Sequence, residues 1–413
     1  MQDTPHDMAR FQWPLALFVA GLLPGFYQIL HPVGLGLGPG YEMAVIARNL
    51  VEYGTYGDSF RSLPTGPTAT NPPVYPLFLA LCIKIFKSGT VIGAVVLLAN
   101  AMANALAAAL LPFVSVRFWG NPAAGAFGGA LLITAARLLP PWDASFKQLG
   151  LILFCLLTMS LLERRQYSAI AGMITGVGAG VLFLLSQVAL LVTVPWLAFL
   201  LAVKQARRQE AIRFVVAFAF AALLVNAPWL ARNYAVWGKL VTRTNFGFTL
   251  SASNNDCTES SLLAELNSGC YAATHPDLSI AEATLLKEMG EPAYDRHETR
   301  EALAWIRAHP GRFLRLTLSR IVEFWFPVPE FPYYAGYAIW GITALSIPGI
   351  LMMLRNRRPA DVFVAAVFLV YPLLYYIVVS SIRYMIPVLW LSALAAGHFL
   401  ASVLDNNSPD VAR

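Results

Sequence analysis

The chain has 413 residues, of which 57% are hydrophobic and 13% charged, and its mean hydropathy is +0.59. A soluble domain carries about 25% charged residues, and apolar runs of roughly 20 residues match the ~30 Å hydrocarbon layer of a bilayer, so a soluble protein is excluded. The net charge of +6 does not indicate a nucleic-acid partner: the basic residues gather between apolar runs, at Arg164-Arg165, Lys204/Arg207/Arg208/Arg213 and Arg355/Arg357/Arg358, as positive-inside loops do.

The short alternating segments of a β-barrel are missing; the chain reads as an all-α polytopic membrane protein. "MQDTPHDMARFQWPLALFVAGLLPGFYQIL" lacks a basic leader region and a small-residue cleavage site, so it reads as a retained first helix, over about 12–31, running outward. Residues 32–88 then form a first outer loop. Within it, 41–53 is an amphipathic helix with Met43, Ala47, Leu50 and Val51 on one face and Glu42, Arg48, Asn49 and Glu52 on the other. "PPVYPLFLALCIKIF" is apolar but short, interrupted by Pro76 and ending near Lys84 and Lys87. We read it as a juxtamembrane helix, because as a crossing it would put every later basic cluster up to Arg213 on the wrong side.

Further crossings follow over about 90–116, 122–138, 145–162, 168–183, 187–203 and 212–230, with "LPPWDASFKQ" as an outer loop. Gly178/Gly180 and Pro195 read as packing and kink residues. Residues 231–311 form an outer polar region in which "SIAE", 279–282, is a capping box and 298–308 a second helical run ending at His309-Pro310-Gly311. "RFLRLTLSRIVEFWF" places Arg312, Arg315, Ser319 and Glu323 at helical spacing beside apolar residues and reads as interfacial. Crossings over 333–354, 361–379 and 384–403 complete a bundle of about ten, with both termini cytoplasmic. The expected organisation is a transmembrane module (1–230), an extracytoplasmic region with its interfacial helix (231–332) and C-terminal transmembrane helices (333–413). Cys82 and Cys155 lie in apolar segments. Cys257 and Cys270 lie in the outer region, where oxidation is permitted, and their pairing stays open. No Cys/His spacing resembles a zinc site.

Arg61, Lys147, Arg232, Arg320 and Arg383 all fall just outside the hydrocarbon on the outer side. There they anchor lipid head groups or bind a phosphate or diphosphate, which guanidinium meets with two parallel hydrogen bonds. Arg383-Tyr384 and Arg232-Asn233, at helix ends, suit the second role best. Two acids share that side, Glu42 and, beside Pro140-Pro141-Trp142, Asp143. An acid near fixed cations suits sugar transfer from a lipid phosphate. Cations stabilise the departing phosphate, and a carboxylate takes the proton of the attacking hydroxyl or amine.

The pieces "YEMAVIARNL", "GPTATNPPVYPLFLALCIKIF", "APWLARNYAVWGKLVTRTNFGFTLSASNN", "HPGRFLRLTLSRIVEFW" and "IRYMIP" run in this order over nearly the whole chain. With them the chain resembles the GT-C superfamily of membrane glycosyltransferases, in its protein O-mannosyltransferase-like and aminoarabinose transferase-like branch. The resemblance implies a GT-C-like bundle with outer-face juxtamembrane helices. It implies an inverting transferase using a polyprenyl-phosphate sugar at the outer face of the inner membrane, its catalytic acid on the first outer loop. Many relatives carry an Asp-Glu pair before the "IARNL" helix. This chain has Pro39-Gly40 there, which leaves Glu42 as the acid close enough to act. Relatives often carry a basic residue before the proline of the second motif, whereas here Thr70-Asn71 precede Pro72-Pro73.

The expected site is therefore Glu42 as general base with Asp143 as second candidate; Arg61, Arg232 and Arg383 on the donor phosphate; and Asn233, Tyr75 and Tyr384 around them. No metal ligand is assigned, and metal dependence stays open, since the acids are too few and scattered to define a site. The sugar stays open, as does the acceptor, a lipid A, a glycan intermediate or a protein hydroxyl. Two other readings stand beside this one. A secondary transporter would carry ionisable groups near mid-membrane and inverted repeats, whereas here the charges gather at helix ends. A catalytically inactive relative would act as a membrane partner in envelope glycan assembly.

Overall fold

In hydrocarbon a backbone finds no water to bond, so each apolar run must close its hydrogen bonds internally. The computed structural model describes residues 5–31, 42–136, 143–163, 167–203, 207–328 and 334–406. Pro39-Gly40, Pro140-Pro141-Trp142, Arg164-Arg165 and Lys204 lie outside the described residues. In chain order the helices are α1 (Pro5–Leu30), α2 (Glu42–Tyr53), α3 (Val74–Ile85), α4 (Gly89–Trp119), α5 (Pro122–Ala136), α6 (Ala144–Glu163), α7 (Ala169–Leu185), α8 (Leu190–Val203) and α9 (Arg208–Trp237). A polar segment follows with α10 (Phe246–Ala252), α11 (Leu262–Ser268), α12 (Cys270–Thr274), α13 (Ile280–Met289), α14 (Glu291–Ala308) and α15 (Pro310–Trp325). The last four are α16 (Tyr334–Asn356), α17 (Pro359–Val370), α18 (Leu373–Tyr376) and α19 (Ile386–Asn406).

The expected crossings fall on helices, except that 361–379 is broken: α17 ends at Val370, α18 covers Leu373–Tyr376 and residues 377–379 are not helical. Among the described residues seven helical stretches are long and apolar enough to span a bilayer, one of them α17 and α18 taken together (Pro359–Tyr376), while α3, α5, α7 and α8 are shorter apolar helices. The chain is an all-α, multi-pass membrane protein. At 12 residues, α3 reaches only about 18 Å, too short to cross. It packs instead against α2, with Ala44, Ala47, Tyr75, Leu79 and Ala80 buried over Ile92 and Val96 of α4. Val51, on the apolar face of α2, is exposed, while Ala44, Ile46 and Ala47 are buried.

The centre of the bundle is α19, where Leu389, Trp390, Leu391 and Ala393 to Ala396 are all 1% exposed or less. Small residues let helices touch closely. Gly172, Gly176 and Gly180 form one stripe of α7 against α9, where an added Cβ would stand 2.4 Å from Phe214 O and 2.3 Å from Phe218 O. The packing role expected for Gly180 is what the structure shows.

One end of the bundle carries a polar layer in which residues 54–73 and 238–309 are laced together. The first segment folds back on itself: Asp58, at φ 51°, accepts from Gly66 N at 2.7 Å through Oδ1. It is then fixed to the second segment by the bidentate pair Arg61–Asp277 and by Ser62 Oγ donating to Pro276 O at 2.5 Å. Ser279 caps α13 as its spacing predicts, accepting from Glu282 N, and α14 begins seven residues ahead of its expected start (298 against Glu291). Cys257 and Cys270, left open by the sequence, form a disulfide with Cα atoms 5.5 Å apart, inside the usual range.

Glu291 is the buried centre of this lacing. Its Oε2 accepts from Ala69 N at 2.7 Å and from Thr244 Oγ1 at 2.5 Å, and burial pushes its carboxyl up to about 7. An acid raised on folding stabilises the native state most where folded and unfolded forms are both protonated, below about pH 4. That contribution is lost as pH rises from there through about 7. Glu291→Gln keeps an acceptor oxygen for both donors and removes the titration. Its thermal midpoint in detergent should exceed the wild type's at pH 8 and converge with it near pH 4; identical pH dependence in both proteins would refute this.

Candidate active site

A cavity of about 360 Å³ opens in the polar layer, between the starts of α2 and α6, the end of α7, α10 to α12 and the link from α18 to α19. That volume lies at the low end for a small-ligand pocket. Five of the expected site residues line it: Glu42, Asp143, Arg61, Arg383 and Tyr384. With them stand Lys147, Arg243, Glu265, Tyr271, His275 and Asp277.

Glu42 is the first residue of α2. Its Oε2 accepts from Asn71 Nδ2 at 3.0 Å, and Asn71 is itself held, its carbonyl accepting from Tyr56 Oη at 2.8 Å. Its Oε1 faces His275 Nε2 at 3.9 Å. Asp143 immediately precedes α6 and pairs with Lys147, one turn on, at 2.5 Å. The two acids therefore differ. Asp143 is committed to a lysine, whereas Glu42 takes its hydrogen bond from a neutral amide.

The cations differ likewise. Asp277 bonds the Arg61 guanidinium and holds it more firmly protonated; in that bidentate pair its bonding edge is occupied. Arg243 spends Nε on Thr70 O at 2.8 Å and has no ion-pair partner among the described residues. Burial pulls it below its usual value, opposed by Tyr375, Asp143 and Glu42; a bound anion would relieve that burial. Arg383 lies over the Tyr384 ring, 5.2 Å from its centroid, and donates to Tyr384 Oη at 3.3 Å. The Tyr384 ring in turn stacks on Tyr375 at 4.4 Å. This link is held in place by neighbours: Val379 N donates to Ser253 Oγ at 2.9 Å and Leu262 N to Ser380 O at 2.9 Å.

Three expected site residues lie outside the cavity. Arg232 turns its guanidinium onto carbonyls of the first segment, donating to Thr68 O at 2.7 Å and Tyr56 O at 2.6 Å, among the rings of Tyr56, Trp229 and Trp237 at 5.3–5.4 Å. Its role is to pin that loop to α9. Asn233 is buried, donating to Val241 O at 2.8 Å and accepting from Arg232. Tyr75 is 2% exposed and packs with Phe78 and Phe146. Arg320, expected at the surface, is fully buried and bonds Asn254 Oδ1 and Ser253 O. Its helix α15 instead exposes Leu314, Leu318 and Val322, one stripe at a spacing of four.

Arg243, His275 and Asn71 were not singled out from the sequence as site residues. Arg243 had a usable signal, the second cation after Lys239 past the end of α9, set in a Thr/Asn-rich stretch. His275 had none. Glu265, also on the wall, accepts from Thr258 Oγ1 at 2.5 Å, and burial raises it to about 7, so it is part protonated near neutrality. Among the described residues no group of three His, Cys, Asp or Glu side chains is arranged to hold a metal ion.

No family model and no curated protein sequence matches the chain. Its fold is similar to that of the archaeal oligosaccharyltransferase AglB from Archaeoglobus fulgidus, solved with an inhibitory peptide and a dolichol-phosphate. The TM-score is 0.56 at 15% identity, over 96% of this chain and 51% of that one. The chain thus spans about half the length of the protein it matches. The likeness establishes a GT-C-like fold.

Proposed function

We propose that the chain transfers a sugar from a polyprenyl-phosphate donor to an acceptor at the outer face of the cytoplasmic membrane, with inversion at the anomeric carbon. The observation that carries the reading is one cavity, on a GT-C-like fold, that joins Glu42, a carboxylate with no arginine or lysine pair among the described residues, to the guanidinium groups of Arg243 and Arg383. That AglB was solved with a dolichol-phosphate supports a lipid-linked donor here.

In this reading the donor phosphate sits by Arg243 and Arg383, with the lysine of the Asp143–Lys147 pair near by. Arg243 is fixed through Thr70 O, so its remaining N–H groups are pre-aimed at the charge that develops on the leaving phosphate. The acceptor hydroxyl or amine attacks the anomeric carbon. Its proton goes to Glu42, the new bond forms to the acceptor atom, and the bond from carbon to phosphate oxygen breaks with its electron pair leaving on polyprenyl phosphate. Tyr384, Tyr375 and Tyr271 line the wall against which the sugar would rest.

The test presents the purified chain in nanodiscs with polyprenyl-phosphate sugars one at a time, together with a cell-envelope extract as acceptor source. Release of free polyprenyl phosphate from at least one donor is expected. No release from any donor, together with counterflow of a soluble solute through proteoliposomes, would replace a transferase with a transporter.

A further inference from the structure

We propose that His275 is a positioning residue for Glu42: its Nε2–H faces Oε1 and, with Asn71 on Oε2, fixes the carboxylate so that one of its two remaining lone-pair sites is directed at the acceptor. The proposal rests on the transferase reading of the cavity and adds to it a residue that acts through the general base.

The geometry has three parts. First, the ring is clamped. It stacks on Tyr271 with centroids 4.4 Å apart and planes 14° apart, and meets Phe60 and Phe248 edge-on at 5.9 and 5.4 Å. Three separate segments therefore fix its plane, and the residue is 9% exposed. Second, the tautomer is set. Asp277 N donates to His275 Nδ1 at 3.1 Å, so a neutral ring must carry its proton on Nε2. Third, Nε2 is the atom that faces Glu42, at 3.9 Å. The gap exceeds a formed hydrogen bond, and contacts of this kind tighten when substrate binds.

The charged and titratable groups around the pair are the Arg61–Asp277 ion pair, Tyr271 of α12, Arg243 ahead of α10 and Arg383 ahead of α19. Burial lowers the imidazole below its ordinary value; Glu42 and Asp277 oppose that shift, and Arg383 and Arg61 add to it. The ring is thus neutral at physiological pH and serves as a donor. A proton passing from the acceptor ends on Glu42, since Nε2 is already occupied.

The test uses the full chain in nanodiscs and two readouts. One is turnover against pH with the active polyprenyl-phosphate sugar. The other is labelling of Glu42 by a water-soluble carbodiimide, followed by mass spectrometry, which needs no turnover; the Glu42 side chain is 30% exposed to the cavity. His275→Phe keeps an aromatic ring in the clamp and loses the donor, His275→Leu loses both, and His275→Gln offers an amide N–H in place of Nε2–H. We expect kcat to fall about tenfold in the Phe and Leu variants, with donor KM unchanged. Glu42, freed of one fixed contact, should be labelled faster at a given pH, and His275→Gln should restore both labelling and turnover. Two variants lack the donor, so misfolding of one leaves the comparison intact. The proposal fails if labelling is the same in all proteins, or if His275→Gln behaves as His275→Phe. A labelling shift without turnover of any donor in the wild type would sink the transferase reading and leave the pair standing.

Discussion

Glu42→Gln is expected to lower transfer by about 10²- to 10⁴-fold, the range for loss of a positioned general base. The substitution is nearly isosteric, and the Gln carbonyl oxygen can still accept from Asn71 Nδ2, the 3.0 Å contact that holds the side chain. Donor binding and thermal stability should therefore stay close to wild type while kcat collapses, since the lost function is exercised only when the acceptor proton moves. Asp143→Asn provides the contrast. It breaks the 2.5 Å pair with Lys147 and leaves a lysine without its acid, so its effect should fall on donor KM as well as on kcat. If the Glu42→Gln protein turns over at the wild-type rate, or if only Asp143→Asn is inactive, the base has been assigned to the wrong acid.

Arg243→Met is expected to lower kcat/KM for the donor by about 10²- to 10³-fold, as loss of one preorganised donor to a developing oxyanion does. Arg243→Lys should recover only part of this. An ammonium keeps the charge but not the planar fork that can hold Thr70 O at 2.8 Å and still present parallel N–H groups to a phosphate. Arg232→Met is the informative companion. Its guanidinium is spent on Thr68 O and Tyr56 O, so its loss should lower the thermal midpoint and leave donor KM nearly unchanged in the protein that remains folded. Steady-state kinetics over a donor titration, with thermal midpoints beside them, separates the two arginines. A normal donor KM in Arg243→Met would remove it from the phosphate site.

The two arginines also mark where sequence reasoning succeeds and stops. Both belong to the run from α9 to α10, Arg232 in the last turns of α9 and Arg243 past its end, and nothing local tells which of them faces a ligand. Tertiary packing does: Arg232 meets two carbonyls of the first segment, while Arg243 extends into the cavity. The same holds for Arg320. Its spacing suits an interfacial helix, yet the helix turns that side inward to Asn254 and Ser253 and exposes Leu314, Leu318 and Val322. His275 lies 233 positions from Glu42 in the chain (275 − 42) and meets it through long-range lacing such as the Arg61–Asp277 pair, across a separation of 216.

Hydropathy is a local property: each side chain's transfer free energy is read almost independently of its neighbours. The sequence by itself therefore determined the long apolar helices, their order, the short α3 that cannot cross, and the polar layer that must hold any chemistry, but not the short helices α10 to α12 inside that layer. It also marked Glu42, Asp143, Arg61, Arg383 and Tyr384 as candidates, because charge beside an apolar run is visible in one dimension. Which guanidinium faces the cavity and which is consumed by carbonyls, and which acid has no lysine or arginine pair among the described residues, only the tertiary structure decided. Those outcomes depend on contacts between segments more than 150 residues apart, such as Thr70 with Arg243, and on the few ångströms that separate an ion pair from a ligand site.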